Sequence, residues 1–254
     1  SVTAEALQAS MRLAEELDTT WQIHLSETEE ERQNAIKEFG CSPVEYLAKL
    51  GCLNERTIAV HCVALSDRDI GLLAESGASV VHCPVSNMRL GCGASPVVKL
   101  LKGGINVALG TDGAASACSL SMFEQMRTAG LIAKGFSQDP TELTVNQIIR
   151  MATINGANAL KLHCDVGSLA VGKLADLAVI DMSQLVTMPV LDVLSNVIYA
   201  VEAQCVHQVW VSGSLVANIQ QEKLLRPDRG KLLTKSNIMS WQNRVCEILR
   251  DDFN

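Results

Sequence analysis

Thr57-Ile58-Ala59-Val60-His61-Cys62-Val63, Ala78-Ser79-Val80-Val81-His82-Cys83-Pro84 and Ile105-Asn106-Val107-Ala108-Leu109-Gly110-Thr111-Asp112 are one phrase written three times. Each is a short, near-continuous apolar run that ends on a histidine or an aspartate. Helical signals fill the gaps. Ser66-Asp67 opens a helix that stops at Gly77, and Ser95-Pro96 opens one that stops at Gly103-Gly104. Apolar runs of strand length, separated by helices, predict parallel strands buried on both faces. The expected class is α/β.

The same grammar extends upstream. Residues 4–17 place Leu7, Met11, Ala14 and Leu17 at helical spacing. Trp21-Gln22-Ile23-His24-Leu25-Ser26-Glu27 begins as a fourth buried strand, a polar, Glu-rich stretch follows, and Ser42-Pro43 caps a helix near 42–50. Downstream, a long helix is predicted near 120–135 and another over about 144–161. Then the grammar changes. Gly167-Ser168, Gly172-Lys173 and Ser212-Gly213-Ser214 are turn signals around short strands at 175–181, 206–211 and 214–218. Residues 236–250 read as a closing helix, with Ile238, Trp241, Val245 and Ile248 on one face.

Composition narrows the classes. The 254 residues are 48% hydrophobic and 19% charged, too apolar for a disordered chain. Lys plus Arg is 21 and Asp plus Glu is 28, a net charge of −7 that argues against a nucleic-acid binder. No apolar run approaches the roughly 18 residues of a membrane helix, and no secretory signal is evident. Nine cysteines, at 41, 52, 62, 83, 92, 118, 164, 205 and 246, form no CxxC. They read as free thiols in a reducing cytoplasm rather than as a disulfide framework or zinc ribbon.

The chemistry gathers at strand ends, where parallel α/β folds build their sites. His24, His61, His82 and Asp112 end four successive strands, and Glu27 lies three residues beyond His24. His24 and Asp112 suit a borderline divalent ion, zinc or iron. Each histidine can equally be a structural residue of a buried strand, and Asp112-Gly113 can be a plain turn. Glu27 can shuttle protons beside an activated water, or it can simply belong to the acidic run of Glu29, Glu30 and Glu31. His82 reads either as a pocket wall or as a satisfied core residue. His163 and His207 lie away from the strand ends. Gly91-Cys92-Gly93 lacks the strand and helix that a phosphate loop needs.

These segments resemble the amidohydrolase superfamily, in the branch of methylthioadenosine/S-adenosylhomocysteine deaminases and triazine hydrolases. The resemblance rests on His-Leu-Ser-Glu (24–27), Ala-Val-His-Cys (59–62), Val-Val-His-Cys-Pro-Val-Ser-Asn-Met-Arg-Leu-Gly-Cys-Gly (80–93) and Gly-Thr-Asp-Gly-Ala-Ala-Ser (110–116). Met-Arg-Thr-Ala-Gly-Leu-Ile-Ala-Lys (126–134), Met-Ala-Thr-Ile-Asn-Gly-Ala (151–157) and Gly-Ser-Leu-Ala-Val-Gly-Lys-Leu-Ala-Asp-Leu (167–177) continue it. The resemblance implies a (β/α)8 barrel with one divalent metal and a small β-sandwich. By it, His24 and Asp112 are metal ligands on the fifth and eighth barrel strands. His61, on the sixth, orients the hydrolytic water. Glu27 contacts substrate and moves protons, and Asp112 is also the general base. The expected substrate contacts are Glu27, Asp112 and His82. The implied reaction is hydrolytic deamination of an aminated heterocycle with loss of ammonia, first of all an adenine nucleoside such as methylthioadenosine or S-adenosylhomocysteine.

The pattern departs from the family in two places. The family carries a His-x-His pair on its first strand, and no two histidines here are two apart. Val85 stands where the deaminase pattern often has Glu. The expectation is therefore the C-terminal half of a TIM barrel (1–165), part of a β-sandwich (166–220), and a C-terminal tail and helix (221–254). Its expected partners are a small-molecule substrate and either the missing N-terminal half or a second copy, with no nucleic acid or membrane. Two alternatives stay open: hydrolysis of an s-triazine or another amino- or chloro-heterocycle, and a non-catalytic half-barrel remnant.

Overall fold

The computed structural model describes residues 2–218 and 223–224. The helix expected at 236–250 lies outside them. The described residues form two compact units, one within Ser1–Ser168 and Leu191–Ala200, the other within Leu169–Val190 and Val201–Asn254.

The first unit opens with α1 (Ala4–Glu16), β1 (Trp21–Leu25), α2 (Glu29–Phe39), α3 (Pro43–Lys49), β2 (Thr57–His61) and α4 (Asp67–Ser76). It continues through β3 (Ser79–His82), α5 (Pro84–Arg89), α6 (Val97–Lys102), β4 (Val107–Leu109) and α7 (Ala114–Ala117). Then come α8 (Met122–Ser137), α9 (Val145–Ala152) and α10 (Ile154–Ala159). The four strands form one parallel sheet in the order β1-β2-β3-β4, as the apolar runs predicted. All five residues of β2 are buried, which is why its sequence does not alternate.

The polar, Glu-rich stretch after β1 is helix α2. Thr28 caps it by accepting from the Glu31 amide, three glutamates fill its first turn, and Gly40 ends it in the left-handed region at φ 70°. The helix expected over 144–161 is interrupted: Thr153 takes φ −132° and ψ −99°, which separates α9 from α10. Asp69 is fully buried and joins two helix starts. Its carboxylate accepts from the hydroxyls of Ser42, the cap of α3, and Ser66, the cap of α4. A single core runs beneath the sheet through Leu73, Leu100, Ile148, Met151 and Ile198, each essentially inaccessible. Ile198 belongs to α11 (Val193–Tyr199), which returns to this unit.

The second unit holds an antiparallel sheet, β5 (Leu177–Ile180), β6 (Val206–Val211), β7 (Ser214–Asn218) and β8 (Lys223–Leu224), in that order. Ser212 and Gly213, both with positive φ, make the two-residue turn between β6 and β7. The eight cysteines among the described residues are all free thiols. No helix among the described residues is long and apolar enough to cross a membrane.

Candidate metal centre

The strand ends of the first sheet are where the backbone is unusual. Ser26 after β1, His61 and Cys62 at the end of β2, and Asp112 after β4 all have positive φ, between 48° and 73°. Non-glycine residues adopt that region at a cost, and such strain gathers at functional sites. It has a geometric consequence here. His24 pairs in register with Val60, so two-residue alternation would send His24 and His61 to opposite faces. Instead their rings meet edge-on, with centroids 4.8 Å apart. The left-handed turn at His61, φ 73°, swings its ring over the strand end.

Asp112 completes the cluster. Donor atoms of His24, His61 and Asp112 all lie within 4.8 Å of one another. Glu27 sits beside them, its Oε2 3.8 Å from His61 Nε2. The turn that carries Glu27 is fixed because the amides of Ser26 and Glu27 donate to the Glu31 carboxylate at 3.2 and 2.7 Å. The Cys92 thiol approaches Glu27 Oε1 at 3.6 Å. Ser86 Oγ donates to Asp112 Oδ2 at 2.6 Å, and Asn87 Oδ1 lies 2.8 Å from His61 Nδ1. Burial raises the Asp112 pKa, but the Ser86 hydroxyl, the Gly113 amide and the two imidazoles outweigh it and hold the carboxyl below its ordinary value. The carboxylate is therefore ionised at neutral pH.

His82 does not join the converging donors. It is 1% exposed and lines a separate cavity of about 390 Å³ with Ser95, Val97, Ala129 and Phe136. Its Nδ1 is buried without a partner. Burial, with His61 nearby, lowers its pKa to about 3, so the ring is neutral. A larger cavity, about 670 Å³, is lined by His24, Phe39 and Tyr46 but by neither His61 nor Asp112. The convergence of donors, not cavity size, marks the centre. His207 lies on β6 in the second unit, in a recess with Asp181.

The donor set passes a chemical test for a metal. Two imidazole nitrogens and a carboxylate oxygen suit a borderline divalent cation. His61 Nε2 is a buried nitrogen with no hydrogen-bond partner, which a coordinated cation would satisfy. The expected ligands His24 and Asp112 are brought together, and His61 is the third residue of the cluster. Ser86, Asn87 and Cys92 were not singled out from sequence. The available signal was their place in the segment 80–93, just beyond a strand end.

The Amidohydrolase family profile matches residues 1–216. The chain belongs to the amidohydrolase family. Among its amidohydrolase relatives is the 5-methylthioadenosine/S-adenosylhomocysteine deaminase of Acetivibrio thermocellus, 41% identical over 91% of this chain and 53% of the relative. An adenosine deaminase structure from Xanthomonas campestris with bound zinc is 37% identical, with a TM-score of 0.89 over 97% of this chain and 55% of that one. Atrazine chlorohydrolase from Arthrobacter aurescens, complexed with zinc, is 25% identical, with a TM-score of 0.80 over 90% and 49% of the two chains. The chain spans about half the length of the curated relatives it matches.

Proposed function

We propose that this chain is the second half of the (β/α)8 barrel of a zinc-dependent hydrolytic deaminase, acting on adenine nucleosides such as methylthioadenosine or S-adenosylhomocysteine. The observation that carries this reading is the convergence of His24, His61 and Asp112, with Glu27 3.8 Å from His61. The relatives' names supply the substrate class.

In this reading His24 and Asp112 hold the metal, and His61 orients the attacking water. A divalent metal held by these residues would supply Lewis-acid chemistry, making water acidic enough to attack near neutral pH, at a pKa of about 7. The chain's own residues move the protons. Asp112 is ionised at neutral pH and accepts a proton as general base. Glu27 sits beside His61, delivers a proton to the heterocycle and helps hold the substrate. The Cys92 thiol orients its carboxylate through Oε1. Hydrolysis exchanges the exocyclic amino group for oxygen and releases ammonia. His82 is buried and lines its own cavity, so this reading gives it no direct contact with the substrate.

The outer edges of β1 and β4 have no strand partner among the described residues. Unpaired edges invite pairing. With the half-length match to the relatives, this supports a further barrel half that supplies the remaining strands and ligands. Residues 1–165 would then be barrel and 166–220 part of a β-sandwich, in a cytoplasmic enzyme with one divalent metal.

A second reading, hydrolysis of an s-triazine, draws on Val85, whose side chain replaces the Glu of the deaminase pattern, and on the atrazine chlorohydrolase likeness. Product analysis on the full-length protein separates the two. Deamination of methylthioadenosine or S-adenosylhomocysteine with atrazine untouched supports the first, and the reverse supports the second.

A further inference from the structure

Asp112 lies two residues beyond the backbone bond that ties its strand end to β3, the Gly110 amide on the His82 carbonyl at 3.0 Å. Its backbone turns left-handed there, at φ 57°, so the parallel ladder does not fix where the carboxylate points. The hold comes from the side. Ser86 is fully buried, and its Oγ donates to Asp112 Oδ2 at 2.6 Å. An ionised carboxylate only accepts, so the hydrogen of this bond belongs to the serine hydroxyl. The length is that of a strong, charge-assisted bond.

Ser86 is in turn held by its own unit. One residue, Cys83, separates β3 from α5, and Pro84 starts the helix with φ already restricted. The Val85 amide donates to Oε1 of Gln125, a fully buried side chain of α8, at 3.3 Å. Three residues after Ser86, Arg89 Nη1 donates to the carbonyls of Ala115 and Ser116, at 3.3 and 2.8 Å. The short helix thus grips the segment after β4 at two points, one at Asp112 and one just past it. We infer that Ser86 is a positioning residue: it fixes the Asp112 carboxylate in the orientation that keeps an oxygen within 4.8 Å of a His24 nitrogen, poised for a divalent cation. Hydrogen-bond partners of ligating carboxylates tune metal sites in this way. The inference rests on the metal centre proposed above, with His24 and Asp112 as ligands, and is independent of the substrate.

The test uses the full-length protein and Ser86→Ala, which removes one oxygen atom. Zinc affinity by chelator competition is the first readout, and the variant should bind about 10- to 100-fold more weakly. The second is the visible spectrum of the cobalt-substituted protein, which should change as the freed carboxylate rearranges around the ion. Ser86→Cys, which keeps the shape with a weaker donor, should fall between alanine and wild type, and it decides alone if Ser86→Ala does not fold. Unchanged zinc affinity or an unchanged cobalt spectrum overturns the inference, even in a variant that melts earlier, because a merely structural serine would do that. A wild-type protein that binds no zinc overturns it together with the centre. Wild-type zinc binding, with the expected losses in the variants but no ammonia released from a nucleoside, defeats the substrate reading and leaves this one standing.

Discussion

Gly110 lies between β4 and Asp112, and the space around it ties the sheet to the centre. A Cβ built there would sit 2.7 Å from Val81 Cγ1 and 3.3 Å from Cys83 Sγ. The first distance is shorter than real Cβ atoms tolerate, and Val81 is β-branched with little rotamer freedom. Its own strand, β3, is held by register on both sides. Gly110→Ala must therefore push β4 away from β3. Overpacking of this kind costs about 1–3 kcal/mol. The narrower unfolded ensemble of alanine returns about 0.4–1 kcal/mol. The net expectation is a loss of about 1–2 kcal/mol in urea unfolding, with weaker zinc binding because Asp112 is two residues away. Gly113→Ala is the control, since nothing lies within 4 Å of a Cβ there, and it should change stability far less. Val81→Ala in the Gly110→Ala background removes the clashing methyl, so the cost of the alanine should shrink in a double-mutant cycle. The reasoning is refuted if Gly110→Ala is as stable as wild type, or if its cost is the same with and without Val81.

Asp112→Asn in the full-length enzyme should abolish turnover and lower zinc content, because it removes both a ligand and a base; near-normal kinetics would contradict the assignment. Asp69→Ala strands the hydroxyls of Ser42 and Ser66 and the Ser66 amide. It should cost about 3 kcal/mol by thermal unfolding, and a loss under about 1 kcal/mol would show the two caps do not depend on it. His82 titrates near 3 when folded and from 6.5 when unfolded, so the unfolded chain binds the extra proton between those values. Stability should fall as pH drops through that window, by up to about 1.4 kcal/mol per pH unit. His82→Gln should flatten this acid limb, and an unchanged slope would rule out His82 as its source.

Much of the fold was legible because burial and capping speak directly in sequence. The β2 run Thr57–His61 is apolar because both faces are covered, and Ser42-Pro43 and Ser66-Asp67 announce helices through their caps. What was missed shares a physical cause: local signal set against tertiary context. Helix α2 is polar over most of its surface, with Ala35 its one buried residue, so it offers little periodicity. Helix α5 is six residues long and buries Ser86 and Asn87, polar residues that give no apolar periodicity. At the centre, the convergence of His24 and Asp112 was legible from strand-end placement. His61 shares that placement, but strand alternation alone would turn it away from His24, and its backbone φ of 73° brings the two rings together. His82 shares the strand-end pattern without that twist and stays on the enclosed side.

The most direct test is ammonia release by the zinc-loaded, full-length protein given methylthioadenosine or S-adenosylhomocysteine. The account predicts one ammonia per nucleoside consumed, with release lost on chelation and restored by zinc. Intact nucleoside in the presence of bound zinc would contradict it.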